Sequence, residues 1–407
     1  MVVIVAAGDI EFSGMFLGRY EKQVLAKLSD KHKRLADHMR ENAAAKSSEL
    51  ISKWFDEADV AFANLETNLT KPRSYYPSRD PFYHFRQDPS TAEDLKSMGF
   101  DLLNLANNYT FDQLVSGTEG FIDEVEALDR VGIKHVGAGM NLEEALAPVI
   151  IDTGGQRIAF LGFSNLVQKA ATVNSPGVAA IRNKTVLEFA SSSLPHETSP
   201  WYAGLPTQKE LPYEEDVHMM QECIKGLKKK VDFVVVAVHW GEGTPLSTSH
   251  LGLHSTIRTL DPTDQLRPHR RLGVDANPNY VQRLLGHSMI DAGADLVIGG
   301  HPHSAQAVEI YKDKHIFYSL GEFFMQVEVD ILRHAIGMYR AYMVKVEIEK
   351  KKTPRVEILP IRMDEACLPI INEEYADVIE ALNEASLPLN ASLVPYDKGA
   401  IVKPVTQ

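Results

Sequence analysis

Short, nearly continuous apolar runs of strand length punctuate the chain at Val2–Ala6, Val60–Ala63, Leu102–Leu105, Ile158–Phe163, Phe233–Val238, Leu296–Ile298 and Ile316–Tyr318. Their β-branched content and lack of alternation predict strands covered on both faces. Amphipathic stretches between them, notably Gln113–Val131 and Tyr280–Ala292, read as helices. Further on, Ala341–Glu349 and Arg355–Ile361 alternate apolar and polar residues, which predicts an antiparallel hairpin packed on a sheet edge. Strands alternating with helices predict an α/β protein with mixed sheets.

Three segments interrupt this frame. Tyr20–Glu57 is charged and amphipathic and reads as a surface helix pair, whereas Lys169–Pro212 is loop-rich, with Pro, Ser and Asn. Glu242–Pro278 carries His250, His254, Arg258, Arg267, His269, Arg270 and Arg271 between two core elements. The Pro-rich tail Leu387–Gln407 is expected to wrap the surface. The chain reads as one domain over 1–407, with insertions near 20–57, 169–212 and 242–278 and with 337–407 as a C-terminal hairpin and tail on the core.

At 407 residues, 44% hydrophobic and 24% charged, the chain has ample material for a core. A net charge of −13 argues against general affinity for nucleic acid or anionic membrane, although local basic pockets remain compatible with it. Cys223 and Cys367 stand far apart in no metal-ligand spacing and read as free thiols in a reducing compartment. The run from Met1 passes into Gly8-Asp9 with no basic region before it, so it reads as a first core strand rather than a signal peptide. No apolar stretch approaches the roughly 20 residues needed to cross a bilayer. The expectation is a cytoplasmic protein without nucleic-acid or membrane partners, with a homo-oligomer compatible.

The candidate chemistry sits where those strands stop. Val3–Ala7 ends in Gly8-Asp9-Ile10-Glu11, Val60–Ala63 in Asn64-Leu65-Glu66, and Leu102–Leu105 in Asn107-Asn108-Tyr109 with Asp112 following. Phe233–Val238 ends in His239-Trp240-Gly241, Leu296–Ile298 in Gly300-His301-Pro302-His303, and Ile316–Tyr318 in Ser319-Leu320-Gly321-Glu322. A lone Asp or Asn at a strand end is a turn or cap residue. Six successive strand ends with ligand-type side chains point instead to a site at the C-terminal edge of the sheets. Carboxylate, amide and imidazole together suit a divalent ion such as Mn²⁺, Zn²⁺ or Fe²⁺, and a pair of ions could share a bridging carboxylate and activate a water. The glycines before His301 would permit the turn that brings two imidazoles to one point.

In order, Gly8-Asp9, Asn64-Leu65-Glu66, Phe85-Arg86, Leu105-Ala106-Asn107-Asn108, His239-Trp240-Gly241, Gly300-His301-Pro302-His303 with Gln306, and Tyr318-Ser319-Leu320-Gly321 resemble the poly-γ-glutamate capsule-biosynthesis CapA family. That family looks like a branch of the calcineurin-like metallophosphoesterases, and the match spans roughly residues 1–330. The resemblance implies an α-β-β-α fold, a mixed β-sandwich flanked by helices, with one or two metals at the strand ends. It places Asp9, Glu66, Asn108, His239, His301 and His303 on metal positions, with Glu66 where the superfamily has a bridging aspartate. Glu11 stands where the superfamily's Asp-x-His motif has histidine, as a ligand or as a substrate-facing acid. Tyr109 replaces the usual histidine after the paired asparagines, and Glu322 replaces the usual asparagine of Ser-Leu-Gly-Asn. A tyrosine with pKa near 10 is a poorer acid for an alkoxide, and an added carboxylate repels a phosphate dianion.

These readings converge on a metal-dependent hydrolase acting on a small, anionic, carboxylate-bearing molecule through metal-activated water. Tyr109, Glu322 and Asp112 are the candidate catalytic groups. Arg86, Asn64, Trp240, His254 and Arg258 are the candidate substrate contacts, because arginine pairs bidentately with planar anions. Two alternatives stand beside it: a metal-dependent lyase on a carboxylated substrate, and a non-catalytic accessory protein binding poly-γ-glutamate.

Overall fold

The computed structural model describes residues 1–12, 49–71, 86–111, 117–188, 207–241, 276–326, 340–363, 369–371 and 375–405. Two large sheets dominate them. The first contains β1 (Val2–Phe12), β2 (Val60–Leu65), β3 (Leu102–Asn104) and β4 (Lys134–Val136), all parallel in the order β1-β2-β3-β4. The second contains β5 (Val149–Thr153), β6 (Gln156–Ser164), β7 (Phe233–His239), β8 (Leu296–Gly300), β9 (Val308–Tyr311) and β10 (Lys314–Phe317), in the order β9-β10-β8-β7-β6-β5. Its inner strands β6, β7, β8 and β10 are parallel, and β5 and β9 close its edges antiparallel.

Strand β1 is the hinge of the first sheet. Its Val2–Ala6 half pairs antiparallel with β12 (Ala341–Ile348), and from Asp9 onward it pairs in parallel with β11 (Glu322–Gln326). The irregular stretch between Ala6 and Asp9 is where one partner hands over to the other. Such breaks in a ladder re-aim side chains beside functional sites.

Alternation along β1 and β2 decides the layers. Val2, Ile4, Ala6 and Phe62 point into the space between the sheets, where Phe62 stacks on Phe160 of β6 with ring centroids 6.0 Å apart. Val3, Val5, Ala61 and Ala63 point the other way and pack with residues of α1 (Glu49–Glu57), α2 (Thr91–Ser97) and α3 (Gly117–Val131), such as Trp54, Leu95 and Leu128. Helices α4 (Glu214–Lys228) and α5 (Tyr280–Ala292) pack on each other and on β7 and β8, burying Met220, Ile224, Leu285 and Met289. The result is a mixed α/β architecture of two large sheets with helices packed on them. Among the described residues, no helix is long and apolar enough to cross a membrane.

Among the described residues the strands and helices read from periodicity occur where they are expected, helix α5 with identical bounds and α3 from Gly117, and the hairpin pairs as β12 with β13 (Arg355–Met363). Two expectations change. Lys169–Pro212 holds a ribbon in which Asn183–Glu188 pairs antiparallel with Thr207–Pro212. Residues 183–187 of its first strand are half-buried or exposed and none is buried, so it carries no apolar alternation to announce it. The tail does not wrap the surface: β15 (Ala391–Tyr396) and β16 (Gly399–Pro404) form a hairpin, β16 joins β13, and β14 (Pro369–Ile371) pairs the far end of β13. Buried Ala391, Leu393, Ala400 and Val402 form its inward face, and its prolines fall on the outer strand and the strand end, where a missing N–H costs nothing. The expected helix pair over 20–57 is described only from residue 49, and 242–275 lies outside the described residues.

His315 on β10 is buried, in register with Leu296 of β8 and Ile310 of β9. Burial, with Lys314 adding, holds its imidazole down to about 4 from an ordinary 6.5. Between those values the unfolded chain holds the extra proton and the folded chain does not, so stability present above pH 6.5 is lost as pH falls toward 4. His315→Gln is therefore expected to lose less stability than the wild type between pH 7.5 and pH 5, by about 2 kcal/mol. Urea unfolding at the two pH values measures it, and an equal loss in both proteins contradicts it.

Candidate metal centre

The C-terminal ends of the parallel strands of both sheets meet along one seam. Asp9 and Glu11 come from β1, Glu66 follows β2, Asn108 follows β3, His239 ends β7, His301 and His303 follow β8, and Glu322 opens β11. The seam is close because glycines face it. At Gly8 a Cβ would lie 1.9 Å from the Gly321 carbonyl oxygen, the acceptor of the Asp9 N–H at 2.9 Å. At Gly300 a Cβ would lie 2.3 Å from Asp9 Oδ1, so only glycine lets β8 approach this carboxylate. The turn itself is made elsewhere than expected: His301 and His303 adopt φ of +93° and +53°. Non-glycine residues held at such angles concentrate at ligand clamps.

The side chains interlock. Glu66 Oε1 lies 3.3 Å from His239 Nε2, 3.6 Å from His301 Nδ1 and 3.8 Å from His303 Nε2. His303 Nε2 also faces Glu11 Oε1 at 3.5 Å, while its Nδ1–H donates to Glu322 Oε2 at 2.9 Å. His239 Nε2 lies 2.6 Å from Asn108 Oδ1. Asp9 accepts from the Asn64 amide at Oδ1 and from the His301 backbone N–H at Oδ2, both at 2.8 Å. Asn64 also donates to His239 Nδ1 and accepts from Asn104, whose own oxygen accepts the Ala106 N–H.

Four buried carboxylates stand around three imidazoles, and the proton affinities of Asp9, Glu11, Glu322 and the histidines are displaced. Burial, then Glu66, pushes the Asp9 carboxyl up to about 6, against the pull of His303 and His239. Glu11 and Glu322 are pushed well above the usual carboxylate range, first by burial. Burial drives His239 down to about 3 and His301 to about 4. His303 goes the other way: burial opposes its charge, but Glu11, Glu66 and Asp9 outweigh burial and lift it to about 9. The pocket is short of positive charge.

A divalent cation answers that shortage, and the donors fit one. Three groups have ligand atoms close enough to share an ion: Glu66 with His239 and His301, Glu11 with Glu66 and His303, and Asp9 with His303 and Glu322. Both oxygens of Glu66, Glu11 Oε2, His301 Nδ1 and Glu322 Oε1 are buried without a hydrogen-bond partner among the described residues. Buried polar atoms left so are costly unless an ion or water completes them. Glu66 belongs to two of the groups, as a bridging carboxylate would.

The candidate metal ligands are thus brought together. The other expected contacts divide. Glu322 joins the cluster, but behind His303 and fully enclosed, where it cannot reach a substrate. Asn64 is buried and spends its amide on Asp9 and His239 rather than on a substrate. Trp240 is wholly buried, stacks on Tyr318 and donates to the Tyr318 carbonyl oxygen at 2.8 Å, which makes it core. Arg86 pairs in register with Asn68 and donates to the Thr70 carbonyl at 2.8 Å. Tyr109 is half-buried in the turn beside Asn108. Asp112, His254 and Arg258 lie outside the described residues. Residues not singled out also matter: Asn107 builds that turn, donating to Leu65 O at 2.7 Å and accepting from the Tyr109 and Thr110 N–H groups. The paired asparagines were its only signal.

Fold and site together define a mixed α/β protein with a buried histidine–carboxylate cluster able to hold metal ions at its strand ends. The chain belongs to the family of the bacterial capsule synthesis protein PGA_cap, whose model matches residues 3–249 and 270–327. It is 28% identical over 315 residues to PGA biosynthesis protein CapA of Bacillus subtilis (strain 168), covering 77% of this chain and 63% of that protein. Capsule biosynthesis protein CapA of Bacillus anthracis is 27% identical over 276 residues, 67% of this chain and 52% of that one. A probable polyglutamine synthesis accessory protein of Mycobacterium tuberculosis (strain CDC 1551 / Oshkosh) is 25% identical over 268 residues, 65% of this chain and 55% of that one. The chain therefore spans from about half to under two thirds of these relatives' length. A solved hypothetical protein from Thermus thermophilus superposes with a TM-score of 0.38 at 13% identity, over 87% of this chain and 98% of that one.

The close approach of β8 to Asp9 gives a direct prediction. Gly300→Ala is expected to displace Asp9 and lower bound divalent metal at least several-fold. Gly226→Ala on α4, where a Cβ meets nothing within 4 Å, is expected to keep its metal and gain about 0.5–1 kcal/mol of stability. Elemental analysis after dialysis, with chemical unfolding, reads both. Full metal content in Gly300→Ala contradicts the packing argument.

Proposed function

We propose that this protein is a metal-dependent hydrolase with a calcineurin-like metallophosphoesterase fold, acting on a small anionic substrate that carries carboxylates. The observation that carries the reading is the buried cluster at the strand ends, with acceptor atoms on Glu11 and Glu66 that no described residue satisfies. Asp9, Glu11, Glu66, Asn108, His239, His301 and His303 are the residues that hold the ions. When bound, such ions lower the pKa of a water toward neutrality and draw charge from the substrate oxygen under attack.

The chain's own groups do the rest. Asn64 orients Asp9 and His239, and Glu322 orients His303, so their donor atoms are fixed before substrate arrives. Tyr109 is the candidate hydrogen-bond donor to the substrate, at the rim beside Asn108. With tyrosine in place of histidine, protonation of a strongly basic leaving group is slow. That favours substrates whose leaving group needs little help. Arg86, and His254 and Arg258 of the basic insertion, are the candidate partners for substrate carboxylates. The γ-glutamyl linkage is the first class to try, because two relatives are named for PGA biosynthesis and for polyglutamine synthesis. Those names also favour a second reading, an accessory protein that binds an anionic polymer without turning it over.

Metal-loaded protein is to be assayed in ¹⁸O-labelled water against γ-glutamyl peptides, aromatic carboxylate amides and esters, and phosphoesters. The expected result is label in the product and a loss on the order of 10³-fold in kcat/KM for Glu66→Gln and His301→Ala. Turnover without label points to the lyase chemistry. Polymer binding with no turnover on any substrate selects the accessory reading.

A further inference from the structure

We propose that the two halves of the centre take ions of different character, a hard oxygen-preferring ion of the Mn²⁺ or Mg²⁺ class beside Glu11 and a borderline ion of the Zn²⁺ or Fe²⁺ class beside His239 and His301. This rests on the metal-centre reading above and goes further by assigning each half its own ion.

The donors are unequal. Around His303 Nε2 lie Glu11 and Glu66, so this half offers two carboxylates and one imidazole, with Asp9 3.7 Å from Nδ1 on the other side of the ring. Glu322 adds a fourth carboxylate on His303 Nδ1 at 2.9 Å. A carboxylate on the far nitrogen fixes the tautomer, turns Nε2 toward the ion and raises its basicity. The other half shares Glu66 but otherwise supplies two imidazoles, His239 and His301, and the Asn108 amide oxygen. Oxygen-rich sets suit Mg²⁺ and Mn²⁺, and imidazole-rich sets suit Zn²⁺ and Fe. The formal charge of the donors differs as well, two negative on the first half against one on the second. Glu11 Oε2 is buried and unpartnered among the described residues, so the extra carboxylate is available rather than already spent. One residue carries most of the contrast: a histidine in place of Glu11 would give each half two imidazoles.

The test uses the full chain, stripped with chelator, reloaded with excess Mn²⁺ and titrated with Zn²⁺, while electron paramagnetic resonance and elemental analysis follow the manganese. The expected start is two manganese ions per chain with a coupled spectrum. The first equivalent of Zn²⁺ is expected to release one of them and leave an uncoupled six-line signal. Release of the second is expected to need at least about tenfold more free Zn²⁺. In Glu11→His the two releases are expected to merge. Both manganese ions leaving together in the wild type, or two steps as widely separated in Glu11→His as in the wild type, overturns the proposal. If Glu11→His does not fold, His301→Ala serves: it is expected to lose the tight zinc step and keep one manganese, and survival of that tight step overturns the proposal. A wild-type protein that retains neither metal refutes the metal centre itself, a different result from two equivalent ions.

Discussion

Negative charge enclosed away from water is the constraint around which this protein is arranged. Asp9, Glu11, Glu66 and Glu322 are all buried in one cluster. Two unit charges of like sign 4 Å apart repel by about 4 kcal/mol at an effective dielectric near 20. Four together could not stay ionised without compensation. His303 supplies part of it, and divalent ions would supply the rest. The same feature that makes the cluster costly in an ion-free protein would draw a divalent cation into it.

Only a particular backbone could assemble such a cluster. Each sheet supplies a different part: the first contributes the carboxylates and Asn108, the second the imidazoles. The seam therefore sets Gly8 against the Gly321 carbonyl and Gly300 against the Asp9 carboxylate, and neither has room for a Cβ. The exchange of β12 for β11 as the neighbour of β1 occurs at the same point and places Glu322 opposite Asp9. Fold and site are thus one design: the change of strand partner is what delivers the last carboxylate.

Much of this was legible in the chain because it is local. Short apolar strand runs, each followed closely by Asp, Glu, Asn or His, announce both the sheets and the edge that carries the chemistry. What was not legible depends on register and direction. Glu322 reads as a free acid until the pairing of β11 with β1 sets it against His303, a partner 19 positions away in sequence. Trp240, next to His239, reads as a substrate contact, yet its ring turns into the core to meet Tyr318. Asn64 reads as a substrate contact, but the register of β2 with β1 and β3 puts it between Asp9 and Asn104. The glycines before His301 suggested a turn, whereas the two histidines carry the positive φ and the glycines provide the close approach. The exposed ribbon and the tail hairpin were hidden for a simpler reason, since neither shows a long apolar stripe.

The proposed centre in the buried carboxylate–histidine cluster is a two-ion site bridged by Glu66. Anomalous diffraction from crystals of the protein as purified tests it most directly. Two peaks are expected, one between Glu66 and the His239–His301 pair and one between Glu66 and the Glu11–His303 pair. No anomalous density there, with the carboxylates hydrogen-bonded to one another through shared protons, would contradict it.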